Sequence, residues 1–452
     1  MKRIYLILEV KSRELDSRIL FSILATQKNF SVVICKKAYL FSKLKYLEPG
    51  IVILKSAGKK NNLMVLEAVK YGHKICLMDE EGLLFWTPEI YCRKRIDEKI
   101  IDLIEFIFTW GNKDFDAISK IHPKHKSKLK ITGNPRIDLL NKKYNIFYKD
   151  DSKLIKQKFK EFILINTNFG YANHITHPGQ TIIEGIKKLG IDDKEEINFH
   201  KNKLDTQIIR FKMLENFIEK FATENKNKTI IIRPHQSEDD AIWKNKFKKY
   251  DNVKIIRDGK SSISWMLASK VTICCNCTTG VEAKILGLKC LNFIPGDNVF
   301  SDYRLPNNVN LNIYKLEDLT NSVKKILNNE KLETPSYDKN VLIEYINNIR
   351  DEDISSIEIV LNNIDHLFEN ILKRKDKYYN FFALKYFYFK RFLINFYMKR
   401  RYKKNNFSKL LLQKNPGTSI KEIEEKLKIM SSVINQNKPK VREIYPDVYC
   451  IE

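Results

Sequence analysis

The stretch T-I-I-I-R-P-H-Q at 229–236 carries a guanidinium and an imidazole at the end of an apolar run. Pro234 forces extended backbone on Arg233 and so carries His235 beyond the strand. In open α/β sheets ligands bind past the carboxyl ends of strands, so Arg233 and His235 are placed to meet an anion. A histidine there also serves simply to cap the next helix or to bond a carbonyl. A second such end is V-T-I-C-C-N-C-T-T-G-V-E-A-K at 271–284. Thr278, Thr279 and Gly280 precede a predicted helix whose free N–H groups and dipole favour phosphate. Glu282, just inside it, is placed to accept the two hydroxyls of a ribose. Ordinary N-capping by Thr278 or Thr279 explains the same residues.

Asp79-Glu80-Glu81-Gly82 follows a third apolar run. Adjacent acids raise one another's pKa, which suits a general base, with Glu81 the first choice and Glu80 the second. The alternative is a solvated acidic turn. Asn168 in the Asn166-Thr167-Asn168 loop, His174 and His177 after it, and Arg136 beside Gly133-Asn134-Pro135 are candidate substrate contacts. A lone loop histidine is more often structural, and Arg136 either reaches a donor or pairs with Asp138. Cys274-Cys275-Asn276-Cys277 lacks a second CxxC or a nearby histidine, so the cysteines read as reduced, buried thiols and no metal is expected.

These residues need strands and helices to hold them. Runs at 3–10, 31–35, 51–54, 74–78 and 106–109 predict strands buried on both faces, with helices at 14–27, 38–47, 61–71 and 112–120 between them. That is a βαβ rhythm. After the break at 133–136 the rhythm restarts, with strands at 162–166, 229–233, 253–256, 271–275 and 289–293 and helices near 204–224, 238–249, 261–268, 279–286 and 316–328. The reading is α/β: two Rossmann-like domains facing a cleft, at 1–145 and 146–330, then a helical extension at 331–452. The polar insertion 185–203 has no assignment, and residues 408–452 no role.

At 452 residues with 43% hydrophobic side chains, the chain is long enough for several buried cores, and its composition excludes a disordered tail or a disulfide miniprotein. No transmembrane span is expected, because the apolar runs are short and interrupted; the N-terminal stretch lacks the pattern of a signal peptide. The net charge of +26 is unevenly spread: residues 371–407 hold twelve basic side chains, one acid (Asp376) and thirteen aromatics. As a helix this segment suits the interface of an anionic membrane. Packing on the rest of the chain and nucleic-acid binding are the rival readings, the last the least favoured.

R-P-H, followed about 40 residues later by a strand, (S/T)-T-G-x-E-A and G-L-K-C-L, resembles the nucleotide-binding half of GT-B glycosyltransferase-like proteins. M-D-E-E-G-L at 78–83, T-G-N-P-R-I-D at 132–138 and I-L-I-N-T-N-F-G-Y-A-N-H at 163–174 are similar to bacterial surface-carbohydrate biosynthesis proteins in particular. Capsule Kdo transferases, polyglycerophosphate transferases and UDP-N-acetylglucosamine 2-epimerases are more distant kin. Over residues 1–330 the resemblance implies a nucleotide-activated sugar held in the second domain and a glycan or lipid-linked acceptor entering from the first, without metal or other cofactor. It implies that Arg233 and His235 neutralise the donor phosphate, Thr278, Thr279 and Gly280 cradle it, and Glu282 holds the ribose. The expected protein is a glycosyltransferase on the cytoplasmic face of the membrane. A nucleotide-sugar 2-epimerase or polyol-phosphate transferase on the same fold, and a non-enzymatic basic scaffold, are the alternatives.

Overall fold

The computed structural model describes residues 2–188, 193–296, 302–333, 339–350, 355–371, 385–393, 396 and 406–452. The apolar runs become strands because unbroken β-branched sequence fits a sheet covered on both faces. One unit comprises Met1–Phe147, Leu342–Ser408 and Asn415–Glu452. Its parallel strands are β1 (Lys2–Ile7), β2 (Phe30–Cys35), β3 (Ile51–Leu54), β4 (Lys74–Met78), β5 (Ile104–Thr109) and β6 (Leu129–Ile131). The other unit, Tyr148–Val341 with Lys409–Lys414, holds β7 (Phe162–Asn166), β8 (Thr229–Arg233), β9 (Val253–Ile255), β10 (Val271–Cys274), β11 (Cys290–Phe293) and β12 (Leu311–Ile313), all parallel. Each unit is Rossmann-like, with helices linking consecutive parallel strands.

Strand order decides where each unit offers a crevice. The first sheet runs β13 (Val441–Tyr445), β14 (Val448–Ile451), β2, β1, β3, β4, β5, β6 and the second β12-β11-β10-β7-β8-β9. The chain leaves β1 toward β2 and then crosses to β3; it leaves β7 toward β8 and β9 and then crosses to β10. At such a reversal the connections diverge and open a gap at the carboxyl edge. The gaps therefore lie between β1 and β3, and between β7 and β10.

The second core is anchored by Trp243, whose ring lies 4.8 Å from Phe211 and 6.1 Å from Phe247. Side chains of this kind each contribute about 1.5–3 kcal/mol on burial. The unassigned insertion resolves in part into a helix, Lys194–Glu224, whose N-cap Asp193 accepts the Glu196 amide at 2.9 Å.

The C-terminal extension differs from the helix-only segment expected from the sequence. Helices Ser356–Ile364 and Ile420–Val433 pack on the Lys11–Gln27 helix. Strands β13 (Val441–Tyr445) and β14 (Val448–Ile451) form a hairpin that adds antiparallel to β2. Five- and four-residue strands carry little periodicity, and a lone hairpin is marginal; an existing sheet edge stabilises it. Of 371–407, most residues lie outside those described.

Candidate functional site

In the second unit the ends of β7 and β8 are tied by one buried carboxylate. Glu238 accepts hydrogen bonds from Thr167 Oγ1 (2.6 Å), the Phe169 amide (2.9 Å), Trp243 Nε1 (2.9 Å) and the His235 amide (3.2 Å). Burial pushes its carboxyl up, and the donors oppose that shift. Glu238 thus shapes both loops, and the exposed His235 is held with Nδ1 2.8 Å from Ser237 Oγ. Arg233 is committed differently from the phosphate contact expected of it. Its guanidinium lies 5.3 Å from the Trp265 ring centroid, and Nη2 donates to the Lys260 carbonyl at 2.8 Å. Burial lowers its pKa to about 10.

At the end of β10, Asn276 adopts φ 45°, a left-handed conformation, and its side chain is bonded to Tyr303 backbone and Asn307. This turn starts the Thr278–Ile285 helix, with Thr278 and Thr279 in its first turn and no side-chain cap bond at Cys277. Gly280 corrects its expected role as a cradle. Its amide donates to the Cys277 carbonyl at 3.2 Å, and a Cβ there would lie 2.7 Å from Asn310 Nδ2. It is glycine because the turn packs closely on Asn310. Glu282 is buried in the same helix, 8% exposed.

Between the ends of β7 and β10 lies a small half-open recess, with an inner space of about 10 Å³, room for about one water. Asn168 and Phe169 line it from the β7 loop, Cys275 and Asn276 from β10, and Lys203, Thr206, Gln207 and Arg210 from the Lys194–Glu224 helix, with Asp302 beside them. Positions 203, 206, 207 and 210 fall on one helical face. The Lys203 ammonium sits 3.9 Å from the Tyr303 ring centroid, and burial lowers its pKa to about 8. Arg210 makes two bonds to Asp302, at 2.6 and 2.8 Å. Asp302, the partner of Arg210, raises the Lys203 pKa, but burial is the larger effect. Asn168 is the one expected substrate contact brought to it. His174 turns back on its own loop, where Nδ1 accepts the Thr176 amide at 3.1 Å, and its ring lies 5.9 Å from exposed His177.

In the first unit, Glu80 is the reverse of a base with a raised pKa. Burial pushes it up, but Arg18 (2.6 Å), Arg136 (3.8 Å), Lys55 and Arg13 outweigh that and hold it below the usual carboxylate range. The neighbouring cations, not the adjacent acid, decide. Arg136 therefore pairs with Glu80 rather than Asp138, which is taken by Asn348 Nδ2 (2.6 Å) and Ser356 Oγ (2.8 Å). Glu81 remains solvent-facing, its side chain 61% exposed, with Arg13 at 3.8 Å and Arg95 at 3.9 Å. Asp79 is buried and bonded to Arg95. The gap between β1 and β3 is filled by the chain itself: Lys55 reaches Glu9 at 2.8 Å and Glu14 at 2.7 Å.

Sequence reasoning did not single out Arg18, Glu14, Lys55, Glu238, Lys203 or Arg210. The available signals were a polar face, K-x-x-T-Q-x-x-R, on a long helix and charges at 14 and 18 in a helix directly after the first strand. Among the described residues no group of three or more His, Cys, Asp or Glu side chains is arranged to hold a metal ion, and no helix is long and apolar enough to cross a membrane.

No family model matches the chain, and no curated protein matches it. Among solved structures, it is similar to the UDP-GlcNAc 2-epimerase of Methanocaldococcus jannaschii in complex with UDP-GlcNAc and UDP (TM-score 0.46, 14% identity, 80% of this chain and 99% of that one). It is also similar to the UDP-GlcNAc 2-epimerase of Neisseria meningitidis bound to UDP-GlcNAc (TM-score 0.47, 14% identity, 82% and 100%). A third is the wall teichoic acid polymerase TagF (TM-score 0.47, 10% identity, 82% and 90%).

Proposed function

We propose that the protein is a metal-independent, GT-B-like glycosyltransferase of bacterial surface polysaccharide biosynthesis, moving a glycosyl group from a nucleotide-activated donor to a lipid-linked or growing glycan. The observation that carries this reading is the recess between β7 and β10, where Lys203 and Arg210 meet the Asn168 loop beside the turn into the Thr278–Ile285 helix. Its position at the strand-order reversal, together with the sequence resemblance, supports a nucleotide ligand. The donor diphosphate lies against Lys203 and the amides of Thr278 and Thr279, with His235 at the neighbouring strand end and Glu282 toward the ribose.

The chemistry follows from charge. As the bond from the sugar C1 to the donor phosphate oxygen breaks, negative charge grows on the leaving phosphate. A buried ammonium and helix-terminal amides stabilise it where water screens little. The acceptor hydroxyl oxygen forms the new bond to C1, and its proton passes to a general base, the role proposed for Glu81, whose side chain is exposed. Glu80, held anionic by Arg18, positions the segment and takes no proton. The protein works in the cytoplasm, at the inner face of the membrane, through its basic aromatic segment.

Calorimetric titration of UDP, CDP and CMP tests the reading. Binding of a nucleoside diphosphate that His235→Ala and Lys203→Met each weaken by about tenfold or more supports it. If the wild type binds none of the three, the donor site is wrong. A product made from a bound nucleotide sugar without any acceptor would assign an epimerase instead.

A further inference from the structure

Within the basic aromatic segment, the described residues 385–393 and 396 are helical. Two of its side chains fasten it to the first unit. Phe387 is 7% exposed, with its ring 5.5 Å from Tyr46 and 5.7 Å from Tyr445, and the Lys43 ammonium lies 4.7 Å from its centroid. One turn on, Arg391 pairs with Glu443 at 3.1 Å and Asp447 at 3.2 Å. At 100° per residue, positions 387 and 391 share one side of the helix. Tyr386, Phe389 and Leu393 fall on the opposite side at spacings of three and four, with Phe392 beside them. They are 57%, 62%, 47% and 66% exposed in the order 386, 389, 393, 392. An aromatic face this open is unusual on a soluble surface and calls for an occupant.

We infer that this face lies in the headgroup region of an anionic bilayer, with the helix parallel to the surface. The inference deepens the membrane-side location of the proposed function and rests on that part of it alone. Charge selects the occupant. The segment 371–407 carries twelve bases against one acid; exposed Lys385 falls within the open face, between Phe392 and Phe389, and exposed Lys390 at its edge. A second copy would set one such cluster against another, inside a chain of net charge +26, so self-association is opposed by repulsion. An anionic lipid surface offers opposite charge to the bases and an apolar layer for Phe389, Phe392 and Leu393. The Phe387 and Arg391 contacts fix which side of the helix faces outward, so docking needs no rearrangement of the helix on its own unit.

The test uses the full chain and sedimentation with vesicles of phosphatidylcholine, with or without one third phosphatidylglycerol. The wild type should bind the anionic vesicles and lose that binding in high salt. Phe389→Ser with Phe392→Ser should weaken binding by roughly tenfold or more while leaving melting temperature and nucleotide affinity unchanged. Lys385→Glu with Lys390→Glu should abolish the preference for anionic over neutral vesicles. Equal binding to both vesicle types, or vesicle binding untouched by the serine pair, overturns the inference. So does a dimer that the serine pair dissolves, which would assign the face to a second copy. Oligonucleotide binding lost in the serine pair, with no vesicle binding in the wild type, would assign it to nucleic acid. Failure of nucleotide binding would remove the transferase reading and leave this result standing.

Discussion

Replacing Lys203 by methionine should stabilise the ligand-free protein and weaken its hold on a nucleoside diphosphate. The two effects have opposite sign and a common cause. Burial lowers the Lys203 pKa from 10.5 to about 8. At about 1.4 kcal/mol per unit, that difference amounts to at most ~3.5 kcal/mol by which the folded chain disfavours the ammonium, before the Tyr303 ring returns a share. Below pH 8 the amine is protonated in both folded and unfolded chains, and the full cost is present. Between pH 8 and 10.5 the unfolded chain holds the proton and the folded chain does not, so stability rises with pH across that window. Above it the amine is neutral in both and the cost is gone.

Methionine keeps the stem of Lys203 and removes the charge, so at pH 7 the variant should melt higher, by about 2–4 °C for each kcal/mol recovered in a unit of this size. At pH 10.5 the gain should vanish. A bound diphosphate restores the ammonium, so at about pH 8–9 wild-type binding should take up a proton, visible as a dependence of the calorimetric enthalpy on buffer. The variant should show no such uptake at this site and bind roughly ten- to a hundredfold more weakly, the effect of a charge-assisted contact. A variant that melts lower and binds UDP and CDP as the wild type does would refute the argument, because Lys203 would then be a packing residue.

Other expectations follow from the same contacts. Glu80→Gln leaves Arg18 buried without its 2.6 Å partner and should cost about 3–5 kcal/mol in urea unfolding at pH 7. The folded carboxyl is held below its unfolded value, so the stability it contributes is present above about pH 4.3 and lost as pH falls further; wild type and variant should converge in acid. Glu81→Gln, on an exposed side chain, should leave melting unchanged and lower the turnover of glycosyl transfer by about 10²–10⁴-fold, with nucleotide affinity intact. Gly280→Ala forces a Cβ to within 2.7 Å of Asn310 Nδ2 and should cost about 1–3 kcal/mol in thermal unfolding, with partial recovery when Asn310→Ala is added.

Much of the architecture was legible because parallel strands are short, apolar and β-branched, and local composition marks them wherever they later pair. The strand assignments from 3–10 to 289–293 and the helices between them follow from that. The βαβ rhythm also carried the division into two Rossmann-like units. Which gap opens was not legible, since it depends on strand order, and order is a relation between segments far apart in the chain. The β13–β14 hairpin joins β2 across more than 400 residues of sequence, and nothing local to 441–451 announces a sheet edge to receive it.

The candidate site divides along the same line. Sequence by itself determined which residue types end the strands: His235, Thr278, Thr279, Asn168 and the Asp79-Glu80-Glu81 acids stand where chain direction and composition put them. Tertiary structure decided what those groups are charged against. It turned Arg233 onto Trp265, locked Glu80 to Arg18, spent the Gly280 amide on a turn and brought Lys203 to the β7–β10 gap by extending the helix expected at 204–224 back into the unassigned polar insertion. The physical reason is that ionisation and recognition depend on burial and on partners within a few ångströms, and those neighbours are distant in sequence.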